Sequence, residues 1–90
     1  MEQQHAVVLD VSRYRPAAGN RDEVLAEVKK LVDRAARADG CYGAQVCLSS
    51  SDRDALIAVS RWKSRAALEK FSSEAPSVDG RTQHEQLTPV

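Results

Sequence analysis

No stretch of this chain is hydrophobic for long, no sign of charge prevails, and the two cysteines are too few for a disulfide scaffold. The longest apolar run near the start, Ala6-Val7-Val8-Leu9, falls far short of the roughly 20 residues of a membrane-spanning helix. The polar opening Met1-Glu2-Gln3-Gln4-His5 has no basic segment of a secretory signal. These features predict a soluble, cytoplasmic protein with no membrane partner, and an inert His5. The 13 basic and 13 acidic side chains cancel, so there is no bulk attraction for nucleic acid.

Cys41 and Cys47 are predicted to share one strand. At ~3.3 Å per residue they stand about 20 Å apart, and a disulfide needs Cα atoms within ~7 Å. A C-x5-C pair without nearby partners is a poor zinc signal, so no metal site is expected. The cysteines read as small, half-buried side chains in a reducing compartment.

Ninety residues make a single domain, 1–90. A chain this short buries a modest share of its surface, and with no disulfide or metal to help, oligomerisation is expected.

Residues 6–14 predict a strand. Val7, Leu9 and Val11 form one apolar face, read as facing inward to the helices; Val8, Asp10, Ser12 and Tyr14 form a mixed face. Pro16 and Gly19 end it. Asn20 with Glu23 suggests a capping box. Val24, Leu25, Val28, Leu31, Val32 and Ala35 then make one helical face over about 21–38, closed by Gly40.

Residues 41–49 predict a second strand, with Tyr42, Ala44, Val46 and Leu48 on one face and Cys41, Gly43, Gln45 and Cys47 on the other. The polar turn 49–54 joins it to a third strand, 55–62, as a hairpin. Ser64 caps a second helix over about 65–74, with Ala67, Leu68 and Phe71 inward. A polar loop through Gly80 leads to a weak last strand near 82–88.

The order β-α-β-β-α-β predicts an α+β, ferredoxin-like domain: a four-stranded antiparallel sheet with two helices on one face. Apolar groups occur on both faces of the strands, as in Ala55, Ile57 and Val59 against Leu56 and Ala58. A sheet with one solvated face alternates more cleanly. A second subunit covering the helix-free face accounts for this; a slightly apolar exposed face is the alternative.

Three segments in order carry a family resemblance: Arg15-Pro16-Ala17-Ala18-Gly19 before the long helix; Asp39-Gly40-Cys41-Tyr42-Gly43-Ala44-Gln45-Val46 entering the second strand; and Ser60-Arg61-Trp62-Lys63-Ser64-Arg65-Ala66-Ala67-Leu68-Glu69-Lys70-Phe71. Over roughly residues 6–75 the chain resembles the antibiotic biosynthesis monooxygenase (ABM) family of dimeric α+β barrels. The resemblance implies sheet-to-sheet homodimers and a pocket between sheet and helices. It also implies O2-dependent oxidation of phenols or quinols without metal or flavin, hence no cofactor.

Each candidate site residue has two readings. Trp62 either walls a pocket for an aromatic substrate or fastens strand to helix. Tyr42 either holds a phenolic oxygen or sits at the core edge; Phe71 and Val11 are further pocket candidates. Tyr14 reads as structural. His84 is the candidate proton acceptor, or a solvated edge residue. Asp10 and Ser12 are expected in a structural or interface role, Asp10 paired with Arg61 or Arg13 across the sheet or the dimer interface if buried, with a pocket role as the alternative.

The haem-degrading branch of the family implies an asparagine late in the first strand, a tryptophan on the second helix and a histidine after it. Val11, Phe71 and the 77–80 loop stand there instead, which disfavours haem degradation. The expected function is a cofactor-independent monooxygenase acting on a small or polycyclic aromatic phenol or quinol. The alternatives are a non-catalytic dimeric ligand-binding or accessory module, and an isomerase or lyase on the same scaffold.

Overall fold

The computed structural model describes residues 6–90; His5 lies outside them. In chain order the elements are β1 (Val8–Tyr14), α1 (Arg21–Arg37), β2 (Cys41–Leu48), β3 (Leu56–Trp62), α2 (Arg65–Glu74) and β4 (Arg81–Leu87). The strands form one sheet in the order β2-β3-β1-β4, each neighbouring pair antiparallel. This is the split βαβ arrangement.

The helices start differently. Ser64 caps α2 through its hydroxyl, which accepts the Ala67 N–H at 3.1 Å, satisfying one of the N–H groups a helix start leaves free. The capping box expected at α1 does not form: Asn20 makes no side-chain cap bond. Its N–H instead closes a turn onto the Ala17 carbonyl at 3.0 Å. Asp22 and Glu23 in the first turn and Arg34 and Arg37 in the last suit the helix dipole.

Buried side chains settle which sheet face the helices cover. Val8 and Trp62 pack with Ala35 of α1 and Leu68 of α2. Tyr14 and Leu56 pack with Val28 of α1. The helix side of β1 is therefore Val8, Asp10, Ser12 and Tyr14, and the expectation that Val7, Leu9 and Val11 point inward is reversed. Strand alternation divides side chains into two sets but does not say which set meets a helix. Here the mixed set carries the bulkiest group, Tyr14, and its polar members find partners within the sheet.

A second correction lies at the start of β2. Cys41 and Gly43 face the consecutive residues Trp62 and Arg61, with Tyr42 as the extra residue of a bulge. Cys41 thus turns to the helix side beside Trp62, away from the side shared by Gly43, Gln45 and Cys47. No local sequence pattern marks this bulge.

Asp52 ties the β2–β3 turn to the end of β1. Its carboxylate accepts from Arg15 Nε at 3.0 Å and Nη2 at 3.2 Å, with Arg13 3.8 Å away. The α2–β4 loop is anchored by the Arg15 N–H on the Gly80 carbonyl at 2.9 Å. Val78 packs against the Tyr14 cluster.

Candidate functional site

Pairing of β1 with β3 and β4 places two polar rows on the helix side. One runs Ser60, Asp10, Gln86; the other runs Ala58, Ser12, His84. His84 is directly opposite Ser12, and Asp10 is the next residue along β1 on the same face. Such diagonal neighbours are within reach of long side chains. The Asp10 Oδ1 and His84 Nε2 atoms are 2.5 Å apart, with side chains 19% and 34% exposed. This is a short contact to a carboxylate at the exposed edge of the sheet.

The surroundings hold the pair in place. Ser12 is buried. Gln86 accepts a hydrogen bond from Arg65 at the start of α2, linking that helix to the edge strand. The Ser60 hydroxyl, opposite Asp10, accepts from the Trp62 indole N–H at 2.8 Å. Both helices lie over β3, and α1 also over β2. Every residue of β4 stays exposed at the far edge.

Trp62 is 0% exposed. The Phe71 ring tilts against it with centroids 5.4 Å apart. The structure thus brings these two candidates together, as packed core between β3 and α2. Tyr42 stands on the bulge, where its carbonyl accepts from Arg61 at 3.2 Å. Val11 lies on the helix-free face.

Asp10 and Ser12 sit on the helix side of the sheet, not on the face expected to meet a second subunit. Neither arginine proposed for Asp10 reaches it. Arg13 turns toward Asp52, and Arg61 lies over Gly43. Both belong to the opposite face, as alternation from Asp10 and Ser60 requires.

Sequence reasoning missed Gln86, Ser60 and Arg65. The period-2 spacing of His84 and Gln86 was a usable signal; the Arg65 contact is set by how α2 docks. Tyr14 packs in the core, at the floor of a cleft of about 330 Å³ lined by Val78, Gly80 and Arg81. Burial raises its phenol above the ordinary 10.0, an effect that Arg81 and Ser12 oppose and Asp10 adds to.

The helix-free face carries Leu9 and Val11 of β1, Ile57 and Val59 of β3, Cys47 of β2 and Leu87 of β4. Arg13, Arg61 and Glu85 border this apolar strip. A hollow of about 430 Å³ opens there, lined by Val11, Arg13, Ile57, Gln83, His84 and Glu85.

A histidine held by a carboxylate at one ring nitrogen has the other available as an acceptor, the arrangement of a general acid–base group. Among the described residues, no three His, Cys, Asp or Glu side chains gather as metal ligands do. Among them also, no helix is long and apolar enough to cross a membrane.

Solved structures share this architecture. The Mycobacterium tuberculosis protein Rv0793 superposes with a TM-score of 0.72 at 19% identity, covering 92% of this chain and 94% of its own. PA3566 of Pseudomonas aeruginosa gives 0.76 at 15% identity, covering 99% of each chain. A structure named as an antibiotic biosynthesis monooxygenase gives 0.74 at 15% identity, covering 92% of this chain and 96% of that one. Among curated protein sequences none matches significantly. The family model described as antibiotic biosynthesis monooxygenase matches residues 8–81, and the chain belongs to that family.

Proposed function

We propose that the protein is a cofactor-independent monooxygenase that oxidises an electron-rich phenol or quinol with O2, and that it acts as a homodimer joined through the helix-free sheet face. The Asp10–His84 pair, together with family membership, carries the reading. His84 takes the phenolic proton. The electron-rich anion left behind gives an electron to O2, the two radicals combine as a peroxide anion on a ring carbon, and the proton held by His84 returns to it to give a hydroperoxide. Loss of water leaves a carbonyl, so one oxygen atom enters the substrate and the other leaves as water. The substrate supplies all four electrons. The protein supplies a proton acceptor, held against Asp10 at the exposed edge of the sheet.

Trp62 and Phe71 act behind this site by fixing β3 to α2. Tyr42 and Val11 are not beside the pair on the helix side; Val11 instead lines the hollow on the helix-free face, and no substrate role is proposed for either. The residues at the haem branch's positions also do not suit that chemistry: Phe71 is packed on Trp62, and Val11 faces away from the helices.

Purified protein added to a panel of hydroquinones, with O2 uptake followed and products weighed, tests the reading. Turnover to a product that has gained one oxygen atom from O2 and lost two hydrogens supports it. No uptake above the protein-free rate from an intact dimer opposes it. The space around Trp62 is filled, which leaves no room there for the ligand of a second reading, a ligand-binding module without turnover. A hydrophobic ligand recovered unchanged from the protein would support that reading.

A further inference from the structure

We infer that Asp10 locks His84 as its Nε2–H tautomer, which makes Nδ1 the atom that accepts the substrate's proton. The inference rests on the reading of His84 as proton acceptor, but its first half stands on geometry alone. An ionised carboxylate only accepts hydrogen bonds, and a neutral imidazole carries a single N–H. The 2.5 Å contact joins Asp10 Oδ1 to His84 Nε2, so the proton lies on Nε2 and the ring's lone pair on Nδ1. Among the described residues, Nδ1 has no hydrogen-bond partner.

The neighbouring groups leave Asp10 free for this work. The Ser60 oxygen opposite it accepts from the Trp62 indole. Arg65, at the start of α2, is bonded to Gln86, and Arg81 stands opposite Tyr14. Asp10 is thus a positioning residue acting through His84. The polarity is the reverse of the usual triad, in which a carboxylate holds Nδ1 and Nε2 does the chemistry. Nδ1 is the ring nitrogen nearer the main chain. The substrate hydroxyl therefore approaches close along β4, beside Ser12, not at the tip of the ring. When Nδ1 takes the proton, the imidazolium gains a charge facing the Asp10 carboxylate, and returning the proton restores the starting tautomer.

Long-range ¹H–¹⁵N correlation of uniformly labelled protein tests the first half, with His5→Gln used to assign the two histidines. At a pH where the ring is neutral, His84 is expected to show a protonated Nε2 and a bare Nδ1. Asp10→Ala should mix the two tautomers. Asp10→Asn, nearly the same size, should do so in part if the alanine variant folds poorly. A wild-type His84 protonated on Nδ1 overturns the inference, and so does an Nε2–H ring that both variants leave unchanged.

Turnover tests the second half. His84→Gln should lower kcat by about 10²–10⁴-fold, the usual range for a positioned general base. Asp10→Ala should lower kcat with KM little changed. The expected tautomer combined with full turnover in His84→Gln would remove the acceptor role and leave the Asp10 lock standing, so the two failures are distinguishable.

Discussion

Gly40, just past the end of α1, faces Ala67 in the first turn of α2 so closely that a Cβ on residue 40 would stand 2.7 Å from the Ala67 Cβ. Its carbonyl accepts the Lys63 N–H at 2.8 Å, and its φ of 85° is one that L side chains avoid. Two of the three segments that carry the family resemblance, 39–46 and 60–71, therefore meet at this point. The glycine is demanded by a close approach between two helix ends as well as by a turn.

Gly40→Ala should destabilise the protein by about 1–3 kcal/mol, from the left-handed backbone and the crowding together. Urea unfolding would show a lower midpoint at unchanged slope. Adding Ala67→Gly should recover the crowding part and not the backbone part. An unchanged midpoint for Gly40→Ala would contradict the contact.

Trp62 carries structure before it carries any chemistry. Trp62→Ala should cost about 3–5 kcal/mol, as for other large core aromatics. Ser60→Ala leaves the buried indole N–H without its acceptor and should cost about 1–3 kcal/mol. Both are read from urea midpoints. Equal stability of wild type and Ser60→Ala would show that the indole finds another partner.

Paired guanidinium hydrogen bonds from Arg15 hold the Asp52 carboxyl below its ordinary 3.8. A group with a lowered folded pKa stabilises the fold above the unfolded value. That contribution is lost as pH falls through 3.8 toward the folded value, because the unfolded chain binds the proton first. Asp52→Asn should remove this part of the acid limb. The stability gap between wild type and variant should narrow steadily as pH drops below about 5. A gap that does not change with pH would show the pair to be inert.

Tyr14 gives the opposite limb. Burial raises its phenol above 10.0, so the unfolded chain ionises first as pH rises through that value. The neutral phenol's contribution is complete below 10.0 and is lost as pH climbs through the higher folded value. Tyr14→Phe should flatten the alkaline loss, seen as urea midpoints that converge between variant and wild type at high pH.

Order and type of all six elements were legible because hydrophobic period, turn residues and caps agreed. The bounds of α2 were read from Ser64 and Ala75-Pro76, and they stand at Arg65–Glu74. The two faces of β1 were not legible. Val7, Leu9 and Val11 are the more apolar set, but burial followed the set containing Val8 and Tyr14. That reversal carried Asp10 and Ser12 to the helix side, and it explains why Arg13 and Arg61 were wrong partners for Asp10. His84 was singled out by residue type alone. Its tie to Asp10 spans 74 residues of sequence and depends on the β1–β4 register, which the few apolar residues of β4 leave weakly specified.

The same reversal puts Leu9, Val11, Ile57 and Val59 on a face that no helix covers. The account therefore stands on a second copy shielding that face while the helix side keeps the Asp10–His84 pair. Sedimentation equilibrium at micromolar concentration tests this most directly. The predicted mass is twice the 9.9 kDa of one chain, falling to a single chain when Val59→Lys places a charge in the apolar strip. A folded wild-type monomer of 9.9 kDa would contradict it.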